Sequence, residues 1–381
     1  MSTPAPAPAD VDVEPNAPDA FEDPQAGWAN DDILFTKPAR DALRARHPTA
    51  LRVLDWPELR ALFGKHEAPA NRHGRADRRF GMVSVAAAVG GLILAGFAPL
   101  GAGVAQQAMG GLALALCLGG AGLALFHWLG ADSRARWLGH RYWTEQARGL
   151  YFQTLINNLD LVARAMSDDQ ALAEWKVARA RALAALPAPE VMPAQLGRLA
   201  GEPTDDEAWI VREWTASPAP PPTSEELALL LELLRRNRFG IQLAYTEGKL
   251  GDSLRAPRRR SEAIRVGSDI LPVVAVVAAA FAGGLMAWGL PASDPAIRIL
   301  LGLATSGTAL ALGLRLINDS LLLTDDAGRY AWYSAAVLQA RARFDAGGLS
   351  EKIAALRDME VVAYRDLRAF VAAHWRARYV L

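Results

Sequence analysis

The chain has 381 residues, 51% of them hydrophobic, and its 41 acidic side chains balance 41 basic ones. This length is enough for two or three ordinary domains. The single cysteine, Cys117, excludes an intramolecular disulfide, and the six histidines show no spacing typical of a zinc site. We therefore expect no disulfide, no metal and no other cofactor.

The first 30 residues predict a disordered tail that is acidic and rich in proline and alanine. Residues 1–36 carry eight acidic side chains and no lysine or arginine. Such a segment cannot bury enough apolar surface to offset the entropy of ordering. A secretory signal would begin with basic residues and an apolar core, so we expect a cytoplasmic N-terminus instead. Short helical patterns over residues 31–69 predict a small cytoplasmic helical segment.

Two long uncharged runs predict membrane-spanning helices. Residues 80–131 contain no Asp, Glu, Lys or Arg, and neither do residues 270–293. A span needs about 20 apolar residues, so the first run holds two spans and the second holds one, with a fourth directly after it. The predicted spans are 81–103, 107–130, 270–290 and 296–317. The predicted fold class is all-α, a membrane protein with four transmembrane helices in two hairpins and long cytoplasmic amphipathic helices.

Basic residues flank the open ends of both predicted hairpins. They include Arg78, Arg79, Arg258, Arg259 and Arg260. By the positive-inside rule both termini are cytoplasmic, and the expected location is the bacterial inner membrane. We assign the arginine run at 257–260 to topology and to contact with anionic lipids of the bilayer rather than to nucleic acid.

The fourth span has an uncharged core of only sixteen residues. It reaches bilayer length if Arg298 and Arg315 extend to opposite membrane surfaces, where their charge costs little. The alternative is that Arg315 lines a pore.

The chain divides into two similar halves. Each half has a basic approach, two spans joined by a short outer loop, and a long amphipathic helix. The first half covers residues 70–166 and the second covers residues 240–381, with a cytoplasmic helical linker region at 167–239. Residue identity between the halves is low, so we interpret them as an architectural repeat.

A stripe of aromatic and charged residues follows the first hairpin. In a helix, Trp137, Arg141, Glu145, Arg148 and Phe152 lie on one face, and their charges form i,i+4 and i,i+3 pairs. The aromatic residues at its ends indicate that the stripe is packed against another helix, where a missing partner would leave a half-buried charge. We expect the same helix to continue to residue 166.

The last helix carries a heptad-like seam from Ile353 to Leu381 that includes Glu360, Phe370 and His374. Such a seam packs on a helix of the same chain or of a second copy. The polar residues Glu360 and His374 are expected to fix the register of this packing. The alternative is that they form a pH-sensitive contact.

Small residues recur on two spans at helical spacing. They are Gly111, Ala115 and Gly119 on the second span, and Gly302 and Ser306 on the fourth. Small side chains allow helices to approach closely in a membrane. We expect them to pack the hairpins within one chain, and the alternative is that they line an oligomeric pore.

The pattern W-L-x-x-R-x-x-x-E-x-x-R-x-x-x-F at residues 137–152, directly after a two-span hairpin, resembles the SLATT domain. This is a two-transmembrane effector domain linked to bacterial defence systems that use nucleotide signals. The resemblance covers about residues 70–166, and the second half looks like a more diverged copy. It implies an inner-membrane effector that forms a homo-oligomer through its cytoplasmic helices. Such an effector forms pores or disrupts the membrane when a linked sensor, expected here to be a partner protein, is activated.

Two other functions stay open at this point. One is a non-catalytic membrane scaffold or accessory subunit that docks a cytoplasmic partner. The other is an intramembrane serine protease with Ser306 as nucleophile, for which His127 is the candidate base. A serine bonded to its own helix backbone is the simpler interpretation of Ser306, so we expect the chain not to be an enzyme.

Overall fold

The structure is a computed structural model that describes residues 28–129, 132–186, 196–197, 224–251 and 256–376. It is helical, with no strand among the described residues. Most of the predicted tail, residues 1–27, lies outside them. Its last three residues instead begin a 3₁₀-helix, Trp28–Ile33. Asn30 is buried there because its side chain hydrogen-bonds to Glu67, so the folded region begins earlier than predicted.

The α-helices of the described segments are numbered here in chain order. The first seven are α1 (Lys37–Arg46), α2 (Pro48–Leu54), α3 (Pro57–Phe97), α4 (Val104–Leu129), α5 (Asp132–Asn157), α6 (Leu159–Arg164) and α7 (Asp169–Ala184). The others are α8 (Glu225–Leu234), α9 (Ile241–Leu250), α10 (Pro257–Ala287), α11 (Pro295–Leu321), α12 (Leu323–Ala346) and α13 (Leu349–Arg376). A π-helical segment, Arg235–Gly240, joins α8 to α9.

Among the described residues, four helices are long and apolar enough to cross a membrane, as predicted: α3, α4, α10 and α11. Helix α3 packs on α4 and α10 packs on α11, which gives two hairpins. Helix α11 also packs along α3, so these two helices form the inner pair of the bundle. Leu114 and Leu118 on α4 and Val276 and Phe281 on α10 are exposed. The outer helices therefore present apolar surface of the kind that a lipid bilayer covers.

Helix α3 belongs to both the membrane bundle and the region outside it. Its 41 residues correspond to about 60 Å, roughly twice the thickness of the bilayer core. Its first turns bury Leu59 and Phe63 in the core outside the bundle, and its last turns form the first span. The boundary expected at residues 69–70 falls inside this helix, and Pro69 does not end it.

The helices outside the membrane bundle share one hydrophobic core, which includes residues from both halves of the chain. Phe152 from the first half, Trp175 from the linker region, and Val337 and Leu356 from the second half are fully buried in it. Helix α13 packs on α5, and α12 packs on α9. The two halves therefore meet in a common extramembrane domain at one end of the bundle.

The predicted continuous helix from residue 137 to residue 166 is wrong at one point. Helix α5 ends at Asn157, and α6 begins at Leu159. Asn158 between them has non-helical backbone angles, and its side chain donates a hydrogen bond to the Thr154 carbonyl, 2.8 Å away. Asparagine competes in this way with helical hydrogen bonds. Val162 and Met166 are nevertheless buried in the core, as the stripe predicts.

The second span packs through a face other than the predicted one. Gly111, Ala115 and Gly119 are exposed, and nothing in the described structure lies within 4 Å of a Cβ built at Gly111 or Gly119. The hairpin instead packs at Gly120, where a Cβ would lie 2.7 Å from the Ser84 carbonyl oxygen. The prediction failed because α4 carries small residues on several sides, and their spacing does not determine which side meets α3.

The small residues of α11 lie at a contact between the two hairpins. A Cβ at Gly302 would lie 2.8 Å from the Phe97 ring of α3 and 3.1 Å from the Gly96 carbonyl oxygen. Ser306 is buried one turn further on. Gly302 therefore allows the inner helices to approach each other within one chain.

Candidate functional site: a buried charge network

A network of charged side chains lies inside the extramembrane domain. The 3₁₀-helix, α3, α5, the π-helical segment and α13 all contribute to it. Its charged members are Asp32, Glu67, Arg141, Glu145, Arg148, Arg238 and Glu360. Burying charge is costly unless each group is paired, so this arrangement is a candidate for a functional role.

Arg148 is the centre of the network. Its Nη1 lies 2.6 Å from Glu145 Oε2, its Nε lies 3.0 Å from Asp32 Oδ2, and its Nη2 donates to Asn30 Oδ1 at 2.5 Å. Arg141 Nη2 lies 2.7 Å from the other oxygen of Glu145. Both ion pairs predicted from the helical spacing of α5 are therefore formed, and Glu145 lies between two guanidinium groups.

Arg238 forms the second half of the network. The π-helical segment buries it together with Phe239. Its Nε donates to Glu360 Oε1 at 2.6 Å, and its guanidinium carbon lies 4.3 Å from the centre of the Phe152 ring. Its Nη1 has no hydrogen-bond partner among the described residues and lies 3.9 Å from Asp32 Oδ2. A single turn of π-helix is often found at functional positions.

Asp32 joins the two halves of the network. It has no exposed surface, and it is close to both Arg148 and Arg238. Gln242 Nε2 donates to Asp32 Oδ2 at 2.9 Å, and the Tyr333 hydroxyl donates to Gln242 Oε1 at 3.2 Å. Asp32, near the start of the chain, is thus connected by hydrogen bonds to helices that lie more than 200 residues later.

The charged members are four carboxylates and three guanidinium groups. Burial raises the pKa of Glu360 to about 7, although Arg238 opposes this rise. Burial likewise raises the pKa of Asp32. Burial alone would raise the pKa of Glu145 too, but its two arginine neighbours lower that pKa to about 2. When Glu360 holds a proton, three negative charges face three positive charges and the network is neutral.

The remaining stripe residues pack against the seam of α13 within the same chain. The Trp137 ring lies edge-on to the Phe370 ring at 5.7 Å between centres and to the His374 ring at 5.2 Å. Burial lowers the pKa of His374, although Asp326 lies 3.8 Å away. The imidazole is therefore neutral at pH 7 and acts here as a packed aromatic ring. Of the two arrangements expected for the seam, the structure shows the one within a single chain.

The arginines at the membrane flanks lie at the ends of the spans. Arg258 and Arg259 both pair with Glu262, and Arg260 and Arg79 are exposed, whereas Arg78 is half-buried. At the two ends of α11, the Arg298 side chain donates to the Pro99 carbonyl and Arg315 lies 3.8 Å from Asp269. This placement at opposite ends is what the short fourth span requires.

Ser306 makes no hydrogen bond among the described residues. The simple interpretation of Ser306 is therefore wrong, and the neighbouring Thr305 and Thr308 make the bonds to the helix backbone instead. The structure brings no base to the Ser306 hydroxyl within its described part, and the side chain of His127 lies outside that part. Among the described residues, no group of three or more His, Cys, Asp or Glu side chains could hold a metal ion.

Sequence reasoning found Arg141, Glu145, Arg148 and Glu360 but missed their partners. Asp32 was assigned to the helical segment after the tail, and Arg238 belongs to a run of arginines that is typical of an exposed surface. Periodicity identifies residues on one face of one helix, and it carries no signal for a partner from another helix. Comparison of the chain with family models, curated proteins and solved structures finds no match.

Proposed function

We propose that this membrane protein is a non-enzymatic effector of SLATT-like type, in which the buried charge network controls the four-span bundle. The observation that carries the proposal is the continuity of α3. This helix bears Glu67, 3.7 Å from Arg141 in the network, and also Gly91 and Gly96, which pack in the bundle. A change in the network therefore shifts the same helix that contacts both α4 and α11.

In this proposal the protein lies in the inner membrane with both termini in the cytoplasm. A partner protein that senses a nucleotide signal acts on the cytoplasmic domain, and the bundle responds by permeabilising the membrane. The basic residues at the inner ends of the spans, such as Arg79 and Arg260, hold these ends against anionic lipid headgroups.

Assembly needs a surface other than the predicted seam. Glu360 is buried against Arg238, whereas Trp137 and Phe370 are half-buried and pack on each other within one chain. A second copy therefore has only partial access to the seam unless the domain opens. The small-residue face of α4, with Gly111, Ala115 and Gly119, is exposed, and no atom of the described residues lies within 4 Å of a Cβ built at either glycine. We propose that a homo-oligomer forms through this face, since small residues favour helix association in lipid.

Membrane potential in bacterial cells after induced expression tests the proposed function. We expect overproduction of the wild-type chain to depolarise the membrane even without its partner, because a high concentration favours assembly by mass action. We expect Glu145→Ala, which removes the carboxylate between two arginines, to lose this effect while still reaching the membrane. Glu174→Ala on the exposed surface of α7 is the matched control and should behave as wild type. An unchanged potential with the wild-type chain present in the membrane would contradict an effector function.

A membrane scaffold is the second candidate, and the closed seam favours it. In a scaffold, the cytoplasmic domain would keep one stable shape for a docked partner. Helices that pack on one another within one chain are consistent with such a stable domain. A scaffold would leave the membrane potential unchanged. Purified from its native cell, it would carry a specific cytoplasmic partner with it. The depolarisation experiment therefore separates the two functions.

A further inference from the structure

A cavity of about 880 Å³ opens in the extramembrane domain between α2, the start of α3 and α7. None of the seven charged members of the network lines it. Its apolar walls include Leu51, Pro57, Ala180 and Leu183, and its polar lining includes Lys176 and Arg179. Pockets for small molecules in proteins have volumes of roughly 300–1,000 Å³, with mostly apolar walls and a few convergent polar groups.

Arg179 is a buried cation that forms no ion pair with the described residues. Only 7% of its surface is exposed, its Nη1 donates to the Asp55 carbonyl at 2.7 Å, and its Nε has no hydrogen-bond partner among the described residues. Its guanidinium carbon lies 5.6 Å from the Trp56 ring centre. Burial lowers the pKa of Arg179, and the nearby carboxylates of Glu58 and Asp55 offset only part of this shift. A buried guanidinium in this state is a natural partner for an anion.

The positive end of a long helix opens at the same place. Helix α3 begins at Pro57, and its N-cap residue Trp56 makes no side-chain hydrogen bond to the first turn. The free N–H groups of a first turn and the helix dipole together favour an anion. The cavity thus combines an uncapped helix end with an unpaired buried guanidinium, which are two independent features of an anion site.

The other charges at the cavity leave a positive balance. Arg44 and Arg52 pair with acidic side chains outside the lining, and Asp55 pairs with Arg60. Lys176 and Glu58 lie at the cavity without an ion pair among the described residues. Together with Arg179, the unpaired groups are two cations and one carboxylate.

We propose that this cavity binds a small organic anion, with a carboxylate or phosphate group against Arg179, Lys176 and the first turn of α3. The apolar part of the ligand packs against Leu51 and Leu183. This inference does not rest on the proposed effector function, because the cavity and the network share no charged residue.

Calorimetric titration of the detergent-solubilised full chain tests the proposal, with benzoate and phenyl phosphate as probes and uncharged benzyl alcohol as the control ligand. We expect saturable binding of at least one anion and none of the alcohol. The anion that binds identifies the headgroup. Absence of saturable binding by both anions, or equal binding of benzyl alcohol, would overturn the proposal.

Charge variants make the test specific to the cavity. Arg179→Gln should weaken anion binding about tenfold or more, because it removes a charge-assisted hydrogen bond. Lys176→Gln should weaken it about two- to fivefold, and Glu58→Gln should strengthen it by a similar factor, since both side chains are at the surface and need not affect folding. Arg181→Gln, exposed on the same helix, is the control and should not change affinity. If Lys176→Gln and Glu58→Gln both leave affinity unchanged, the anion does not bind in this cavity.

Discussion

Arg238 and Glu360 form an ion pair inside the extramembrane domain, with 2.6 Å between Arg238 Nε and Glu360 Oε1 and only 1% of either side chain exposed. The two residues are 122 positions apart and come from the π-helical segment and α13. The pair therefore connects Glu360, in the second half of the chain, to the part of the network that surrounds Arg148 in the first half. Removal of one partner from such a pair leaves an uncompensated buried charge, whereas removal of both does not.

This asymmetry gives the first prediction. At pH 8, where Glu360 is largely ionised, Arg238→Met should destabilise the protein by about 3–5 kcal/mol. The double variant Arg238→Met/Glu360→Leu should recover most of that loss, because it leaves no unpaired charge at this position. Denaturant unfolding in detergent, followed by tryptophan fluorescence, measures the coupling between the two residues.

The exposed pair Arg343–Asp358 between α12 and α13 is the matched control for this cycle. Its coupling should stay below about 1 kcal/mol, since surface ion pairs contribute little. If the single substitutions at Arg238 and Glu360 have strictly additive effects, the buried pair is not a structural unit.

The second prediction concerns pH. The pKa of Glu360 is about 7 in the folded protein, above its ordinary value of 4.5, because the carboxyl is buried. The folded state therefore binds the proton more tightly than the unfolded state. This proton adds on the order of 3 kcal/mol to the free energy of unfolding below about pH 4.5, and the contribution is lost as the pH rises through 7.

Unfolding free energies measured between pH 5 and pH 8 test this dependence. Glu360→Gln, which keeps the shape of the side chain and does not titrate, should remove most of the decline. A wild-type stability that rises over this range, or a decline that persists in Glu360→Gln, would show that Glu360 does not carry the proton.

The third prediction separates two faces of α4. Gly120→Ala should weaken the first hairpin, because its Cβ would lie 2.7 Å from backbone atoms of Ser84 and Ala88. Gly119→Ala should leave the fold unchanged, since no atom in the described part of the chain lies within 4 Å of the added Cβ. Thermal unfolding in detergent should show a lower midpoint for Gly120→Ala alone.

The same two glycines test the proposed assembly surface. Gly119→Leu, on the exposed face, should reduce homo-oligomer formation in lipid while it preserves the monomer. Light scattering or cross-linking after reconstitution reports the oligomeric state. Equal destabilisation of the monomer by Gly119→Ala and Gly120→Ala would mean that the hairpin packs differently from this structure.

The sequence predicted the all-α class and the four spans, because apolar run length and bilayer thickness determine them together. It also predicted the ion pairs around Glu145, which depend only on helical spacing. The packing face of α4 could not be predicted in this way. This helix carries small residues on several faces, so the sequence does not show whether the face of Gly111 or that of Gly120 packs on α3. The role of Asp32 could not be predicted either, since tertiary packing brings this carboxylate to Arg148 and Arg238 from a segment with no periodic signal.

In the proposed function, α3 couples the charge network to the end of the bundle that is farthest from it, where the two hairpins turn. Spin labels at Leu100→Cys and Trp288→Cys, both at exposed positions beside the outer turns of the hairpins, report the distance between the two hairpins in a Cys117→Ala background. Double electron–electron resonance in lipid measures this distance distribution. The account predicts that Glu145→Ala shifts or broadens the distribution, whereas Glu174→Ala leaves it as in the parent. An unchanged distribution in a folded Glu145→Ala protein would contradict the claim.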